Sequence, residues 1–307
     1  MKALREAAIG IGSNSLRLLV ADIEQGNQTA VLRKRIGLRV FTSLNDTHEM
    51  DESMIHDACE AVQQMKQYAQ QSGAELIRLF ATSAVRDAKN SAALQDALWQ
   101  NTGLHLSILS GEQEAKYSFL GAAGNASTGM IDIGGGSTEI VIGDHGQPQY
   151  AISLQAGAVR MFQEMPITSA VDTKAVMDSV ARLLSPNTKT IWQMKTPTQW
   201  VGVGGTMTAA ATCIQGIDWH SHKRVHGFGV QRQALRHAME TLADMPLTDR
   251  KKLGTVPPDR ADIVVHGFAI LLQCMETLCI DTITISEHTN LDGFLRAITA
   301  GGSESAE

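Results

Sequence analysis

The chain is 307 residues long with 43 % hydrophobic and 19 % charged residues, which suits two globular domains and excludes a disordered, collagenous or coiled-coil chain. Its net charge of −6 argues against a duplex nucleic-acid partner held by general electrostatics, and no apolar run approaches the roughly 20 residues that span a bilayer, so no membrane partner is expected. The first 15 residues turn polar too soon for a signal peptide, and the four scattered cysteines (Cys59, Cys213, Cys274, Cys279) read as small core residues rather than a zinc or disulfide framework, so a cytoplasmic protein is expected.

A short internal repeat frames a mixed α/β order. Residues 8–22, AIGIGSNSLRLLVAD, align with residues 130–144, MIDIGGGSTEIVIGD, at a constant offset of 122. Each copy predicts strand, tight turn, strand: apolar runs at 7–11 and 130–133 enter Gly-x-x-Ser at 12–15 and 134–137, and extended segments follow at 16–20 and 139–142. The turn residues are small and polar, so their N–H groups can face a ligand. Two such hairpins imply two similar domains facing across a cleft, each offering one loop.

Between the copies, Met54, Ile55, Ala58, Cys59, Val62, Met65 and Ala69 recur at helical spacing, and Gly73 supplies a stop. Residues 76–82 read as a strand, 91–99 as a short helix ending at 101–103, and Leu104, Leu106 and Ile108 as a half-buried strand. Ser110-Gly111-Glu112-Gln113 fits a capping box that starts a helix reaching Ala123. A boundary at 124–127 then divides the chain into 1–124 and 125–307. In the second half, a strand at 200–203 enters Gly204-Gly205-Thr206, and an alanine-rich helix at 207–214 follows, which makes its N-terminus a natural anion site. A long apolar helix at 259–278, a strand at 282–286 and a last helix from 291, stopped by Gly301-Gly302, complete the order, with a frayed tail at 303–307. That last helix, taken as about 291–303, is a candidate to pack back on the first domain.

Asp132 interrupts an apolar strand, where an uncompensated carboxylate is costly. It is either bonded to N–H groups of the next turn or a Mg²⁺ ligand, since Mg²⁺ takes one or two carboxylates plus phosphate oxygens. The equivalent position of the first copy is Gly10, so one acid stands where a two-fold arrangement could use two. Gly134-Gly135-Gly136-Ser137-Thr138 is either a plain hairpin turn or a loop whose backbone approaches phosphate closely. Glu139 is an exposed strand end or a metal or water ligand. Glu112 and Glu114 point about 200° apart on a helix, so at most one faces a given site. A carboxylate here either favours the helix N-terminus or orients and deprotonates a water. Arg86 follows a strand end and either pairs locally with Asp87 or forks onto phosphate oxygens.

His220, His222 and His226 lack a companion carboxylate or cysteine and read as a polar loop rather than a metal cluster. Residues 33–35 with Arg39, and Lys223 with Arg224, read as solvated faces. Gly10-Ile11-Gly12 lacks the third glycine and the helix of a dinucleotide fingerprint, and no P-loop motif exists.

These blocks resemble the exopolyphosphatase and guanosine pentaphosphate phosphohydrolase (Ppx/GppA) family of the actin-like superfamily. The resemblance runs through residues 8–15 (AIGIGSNS), 81–88 (ATSAVRDA), 110–115 (SGEQEA), 131–139 (IDIGGGSTE), 202–206 (GVGGT), and 260–262 (RAD) with Gly267. It implies an α/β fold of two actin-like, ribonuclease-H-like domains with an interdomain active-site cleft. It implies Glu114 as general base and Asp132 and Glu139 as ligands of Mg²⁺ (or Mn²⁺). It implies Gly12, Ser13, Asn14, Ser15, Arg86, Gly134, Gly135, Gly136, Ser137 and Thr138 as phosphate-binding residues, to which the glycine-threonine start at Gly204, Gly205 and Thr206 is added. The chain departs from the family pattern at Gln113, where the family usually has glutamate. It departs again at Gly10, where an aspartate is usual, and around Leu291, where an arginine-containing pattern is usual.

The expected activity is release of terminal phosphate from inorganic polyphosphate or guanosine pentaphosphate, by Mg²⁺-assisted attack of a water activated by Glu114. The alternative is a weakly active or inactive protein that senses these ligands, because Gly10 replaces an acid. A sugar or acetate kinase of the same superfamily is a third option, for which no acceptor or adenosine pocket is recognisable. Two-domain hydrolases of this size are often homodimers.

Overall fold

The computed structural model describes residues 4–24, 27–44, 47–221 and 224–300. The expected Gly301-Gly302 stop, the tail at 303–307, and His222 and Lys223 lie outside the described residues. The chain forms two units, Met1–Gly121 with Asn290–Glu307, and Ala122–Thr289.

Unit 1 begins with a meander of β1 (Leu4–Ile11), β2 (Ser15–Glu24) and β3 (Asn27–Gly37). Helix α1 (Glu52–Gln71), β4 (Leu76–Ala81), α2 (Ser83–Asp87), α3 (Ser91–Thr102), β5 (Leu106–Ile108) and α4 (Gly111–Ala122) follow. The sheet runs β3-β2-β1-β4-β5, antiparallel within the meander and parallel from β1 through β5. Leu16, Leu18, Leu19 and Val20 of β2 are all buried, as the continuous apolar run of a strand covered on both faces demands. Strand β3 is the edge; its charges at Arg33, Lys34 and Arg35 are the device that keeps an exposed edge from pairing. Those same charges concealed it from a pattern reading, which took them for a solvated face.

Helix α1 starts on Asp51, whose carboxylate accepts from the Met54 N–H at 2.7 Å, and buries Ala58, Cys59, Val62, Met65 and Ala69. Helix α3 runs three residues beyond 99 and stops at Gly103 in the left-handed region. The capping box before α4 is present in both directions: Ser110 N–H to Gln113 Oε1 at 2.8 Å, and Gln113 N–H to Ser110 Oγ at 3.1 Å.

Unit 2 repeats the meander as β6 (Thr128–Ile133), β7 (Thr138–Asp144) and β8 (Gln147–Leu154). Then come α5 (Ala158–Glu164), α6 (Thr173–Gln193), β9 (Gln199–Val203), α7 (Gly205–Gln215), β10 (Gly229–Gln231), α8 (Arg232–Ala243), α9 (Leu247–Arg250), α10 (Val264–Thr277) and β11 (Thr282–Ser286). Its sheet order is β10-β11-β9-β6-β7-β8, so both sheets share a three-stranded meander continued by two parallel strands. Helix α10 is buried almost all round, with Phe268, Ile270, Leu271 and Leu272 at the centre of the unit's core.

Three expectations need correction. The helix expected at 259–278 begins only at Val264; Pro257 and Pro258 set a tight 3₁₀ turn closed by the Arg260 N–H on Pro257 O, and the Ile263 N–H is shared between Arg260 O and Asp262 Oδ1, both at 3.1 Å. Helix α6, absent from the predicted elements, carries Pro186 inside it. Cys59 and Cys274 are core residues, but Cys213 is half-buried and Cys279 exposed.

Helix α11 (Asn290–Ala300) belongs to unit 1, where Leu291, Phe294 and Leu295 cover Ala8, Leu19, Ala21, Phe80 and Leu109. Asp292 receives both terminal nitrogens of Arg33, at 2.5 and 3.1 Å, and Arg296 donates to Leu120 O at 2.9 Å. Among the described residues no helix is long and apolar enough to cross a membrane.

Candidate active site

In unit 2 the turn from Gly134 to Ser137 is closed by the Gly134 N–H on Ser137 O at 2.9 Å. Its carbonyls are bound from one side. Gly134 O accepts from Ala158 N–H at 3.0 Å, Gly135 O from Val159 N–H at 2.8 Å, and Gly136 O from Arg160 Nε at 2.8 Å. A trans peptide points its N–H opposite to its C=O, so the N–H groups of Gly135, Gly136 and Ser137 are turned away from α5. None of the three donates a hydrogen bond among the described residues. A row of N–H groups so aimed is an anion cradle, and the bond to Gly135 O is close enough that a Cβ at Gly157 would lie 2.2 Å from it. The Thr138 hydroxyl is committed to Ala156 O.

Asp132 and Glu139 are cross-strand partners in β6 and β7, so both side chains leave the same face with their Cβ atoms about 5 Å apart. Both are buried, at 9 % and 0 % exposure, and Glu139 accepts from Ser153 Oγ at 2.7 Å. Gly204 precedes α7 with φ +98°, and a Cβ there would meet Asp132 Oδ1 at 2.8 Å, which places the carboxylate against the start of α7. Two buried carboxylates side by side form the donor set that Mg²⁺ accepts, leaving its other positions to water and phosphate oxygens. No group of three or more His, Cys, Asp and Glu residues suited to a metal forms among the described residues.

Gly205 and Thr206 open α7 and leave first-turn N–H groups without helical partners. The Thr206 side chain is seated against α10, where a Cβ at Gly267 would lie 2.7 Å from its Oγ1. The guanidinium of Arg260 lies over Gly205, at 2.0 Å from where a Cβ would stand. Sequence reasoning assigned neither Arg260 nor Arg160 a role. Arg260 lay within a quoted motif, whereas nothing in its spacing marked Arg160.

Unit 1 holds the first copy of the turn. Gly12 N–H bonds Ser15 O at 3.0 Å, and the carbonyls are again taken from behind: Ser13 O by Phe41 N–H at 3.0 Å, Asn14 O by the N–H groups of Leu38 and Arg39 at 3.2 and 3.1 Å. Ser13, Asn14 and Ser15 are buried, and neither Nδ2 nor Oδ1 of Asn14 has a partner. An orphaned buried amide costs free energy until a ligand or water meets it.

Glu114 is buried and Glu112 exposed, so the two α4 carboxylates occupy opposite environments. Arg86, delivered by α2, donates through Nη1 to Glu114 Oε2 at 3.2 Å and to Leu109 O at 2.8 Å. Its local partner is therefore Glu114 rather than Asp87. Its Nη2 is buried without a partner, leaving one donor for an incoming oxygen.

His220 is paired with Asp218 at 2.6 Å and stacked on Trp219, whereas His226 accepts from the Glu287 N–H at 3.3 Å, so these histidines serve loop structure.

The model of the Ppx/GppA phosphatase family matches residues 19–298. The chain belongs to that family. Exopolyphosphatase 2 of Mycobacterium tuberculosis is 30 % identical over 315 residues, covering 95 % of this chain and 98 % of that protein. A guanosine-5'-triphosphate,3'-diphosphate pyrophosphatase of Pseudoalteromonas atlantica is 27 % identical over 94 % of this chain, which spans 57 % of that longer protein. Among solved structures, the Ppx/GppA family member of Aquifex aeolicus superimposes with a TM-score of 0.83 at 24 % identity, over 99 % of this chain and all of that one. An exopolyphosphatase from Cytophaga hutchinsonii gives 0.86 at 20 % identity over 97 % and 99 %. These likenesses establish the actin-like fold of the family in both units.

Proposed function

We propose that this chain is a phosphoanhydride hydrolase that releases the terminal phosphate of inorganic polyphosphate or guanosine pentaphosphate. The observation that carries the reading is the Gly134–Ser137 turn, where the carbonyls of Gly134, Gly135 and Gly136 are held from behind, which leaves the N–H groups of Gly135, Gly136 and Ser137 to meet an anion. Curated relatives named for exopolyphosphatase and guanosine pentaphosphate chemistry support the substrate class.

Phosphoryl transfer asks the protein for positioning and charge stabilisation more than for covalent chemistry. The Glu114 carboxylate accepts the proton of the attacking water as the new P–O bond forms and the bridging P–O bond breaks, releasing the shortened chain. Arg86 holds Glu114 through Nη1 and offers Nη2 to a phosphate oxygen. Backbone N–H groups of the Gly134–Ser137 turn take further oxygens. Asp132 and Glu139 would hold Mg²⁺ or Mn²⁺, which when bound neutralises phosphate charge.

Phosphate release from both substrates, with Mg²⁺ or Mn²⁺, tests the reading. Glu114→Gln should lower kcat by about 10²-fold or more. Turnover within twofold of the parent would remove Glu114 from the base role.

A second reading, a protein that binds these ligands and hydrolyses them poorly, is favoured by the packing at Gly10, where a side chain would press on Phe80 and Leu291. Tight, Mg²⁺-insensitive binding without phosphate release would select it.

A further inference from the structure

The offset of 122 seen in the sequence survives residue for residue in the strand registers: Gly10 pairs with Arg17 across β1 and β2, and Asp132 pairs with Glu139 across β6 and β7. Where unit 2 sets two buried carboxylates side by side, unit 1 sets no side chain beside a cation.

The space over Gly10 is filled. A Cβ there would stand 3.0 and 3.1 Å from Cζ and Cε2 of Phe80 and 3.3 Å from Cδ2 of Leu291. Both neighbours belong to a buried apolar cluster with Ala8, Leu19, Phe294 and Leu295, and Phe80 and Phe294 rings lie 4.6 Å apart. Neither can retreat easily. Helix α11, which carries Leu291, is pinned by Arg33 on Asp292, by Arg296 on Leu120 O, and by Gly293, where a Cβ would fall 1.8 Å from Tyr117 O. A carboxylate introduced at position 10 would therefore press on Phe80 and Leu291 and stand beside its cross-strand partner Arg17, so that a guanidinium rather than a metal ion is the cation within its reach.

We propose that this chain has a single divalent-cation site, built by Asp132 and Glu139 of unit 2, and that the equivalent place in unit 1 has been rebuilt as an apolar seal of Phe80 and Leu291 that supplies no metal ligand. The proposal rests on the metal reading given above and adds to it the number and location of the ions. It also means that restoring an acid at position 10 does not restore a ligand.

Titration of the full chain with Mn²⁺, without substrate, read by the electron paramagnetic resonance signal of free Mn²⁺, tests this. The expected result is one ion per chain, weakened tenfold or more in Asp132→Asn and unchanged within twofold in Gly10→Asp. Gly10→Asp should also lower Tm, and adding Leu291→Ala should recover part of that loss. Should Gly10→Asp fail to fold, the stoichiometry of the parent and a lowered Tm in Gly10→Ala still decide. A tenfold tighter Mn²⁺ affinity in Gly10→Asp with unchanged Tm overturns the proposal, as does a second ion in the parent that survives Asp132→Asn. Mn²⁺ binding by no form of the chain overturns the metal reading itself, and the proposal with it.

Discussion

Arg86 Nη1 lies 3.2 Å from Glu114 Oε2 and 2.8 Å from Leu109 O, so one guanidinium nitrogen fastens the α4 carboxylate to the strand end that precedes its helix. Arg86→Ala leaves Glu114 buried without that partner and should cost about 1–3 kcal/mol of stability by urea denaturation. Arg86→Lys keeps the charge but loses the fork, and should recover less of the substrate affinity than of the stability. Equal recovery of both would mean that Nη2 meets no substrate oxygen.

Arg160 is a positioning residue: its Nε holds Gly136 O and its Nη2 holds Gln155 Oε1. In Arg160→Ala the Gly136 peptide is free to turn, which withdraws the Ser137 N–H from the anion. KM for polyphosphate should rise about tenfold, equivalent to about 1.4 kcal/mol, with a smaller change in kcat. A change confined to Tm would reduce Arg160 to a structural contact.

Gly204 combines φ +98° with a position where a Cβ would meet Asp132 Oδ1 at 2.8 Å and Ile133 O at 3.1 Å. Gly204→Ala should destabilise the fold by about 1–3 kcal/mol. It should also weaken Mn²⁺ binding, because Asp132 is the atom group displaced. Preserved Mn²⁺ affinity in a destabilised variant would separate the two effects and place the strain in the backbone alone.

Burial of His266 pushes its imidazole below the ordinary value of 6.5, against the opposing pull of its bond to Met165 O, with Arg250 adding to the depression. The unfolded chain then takes up a proton before the folded one does. The stability from this group is complete above pH 6.5 and is lost as pH falls below it, until the folded-state ring also protonates. Urea unfolding between pH 5 and 8 should show this slope, and His266→Asn should flatten it. An identical slope in the variant would assign the pH dependence to other groups.

The hairpins were legible because their information is local: alternating apolar strands around Gly-x-x-Ser need no distant partner to be read, and the 122-residue offset even gives the register. Helical spacing alone leaves Glu114 and Glu112 as two opposed positions, and it is the family resemblance that points to Glu114; its burial depends on what packs against α4. Arg160 was invisible as a ligand of its turn because it acts through a backbone carbonyl that carries no residue-type signal, and Arg260 because its guanidinium lies over Gly205, 55 positions away. The packing over Gly10 required Leu291, 281 positions away, and no pattern within either segment foretells their meeting.

The return of α11 to unit 1 has a consequence for synthesis. Leu291, Phe294 and Leu295 leave the ribosome more than 200 residues after Ala8, Leu19 and Phe80, which they cover. The nascent N-terminal half must therefore wait, with an apolar sheet face uncovered, while residues 122–289 are made. A chain released before Asn290 would retain every residue of both turns and of the acid pair while exposing that face, so premature termination should yield aggregation or chaperone capture rather than a smaller working enzyme.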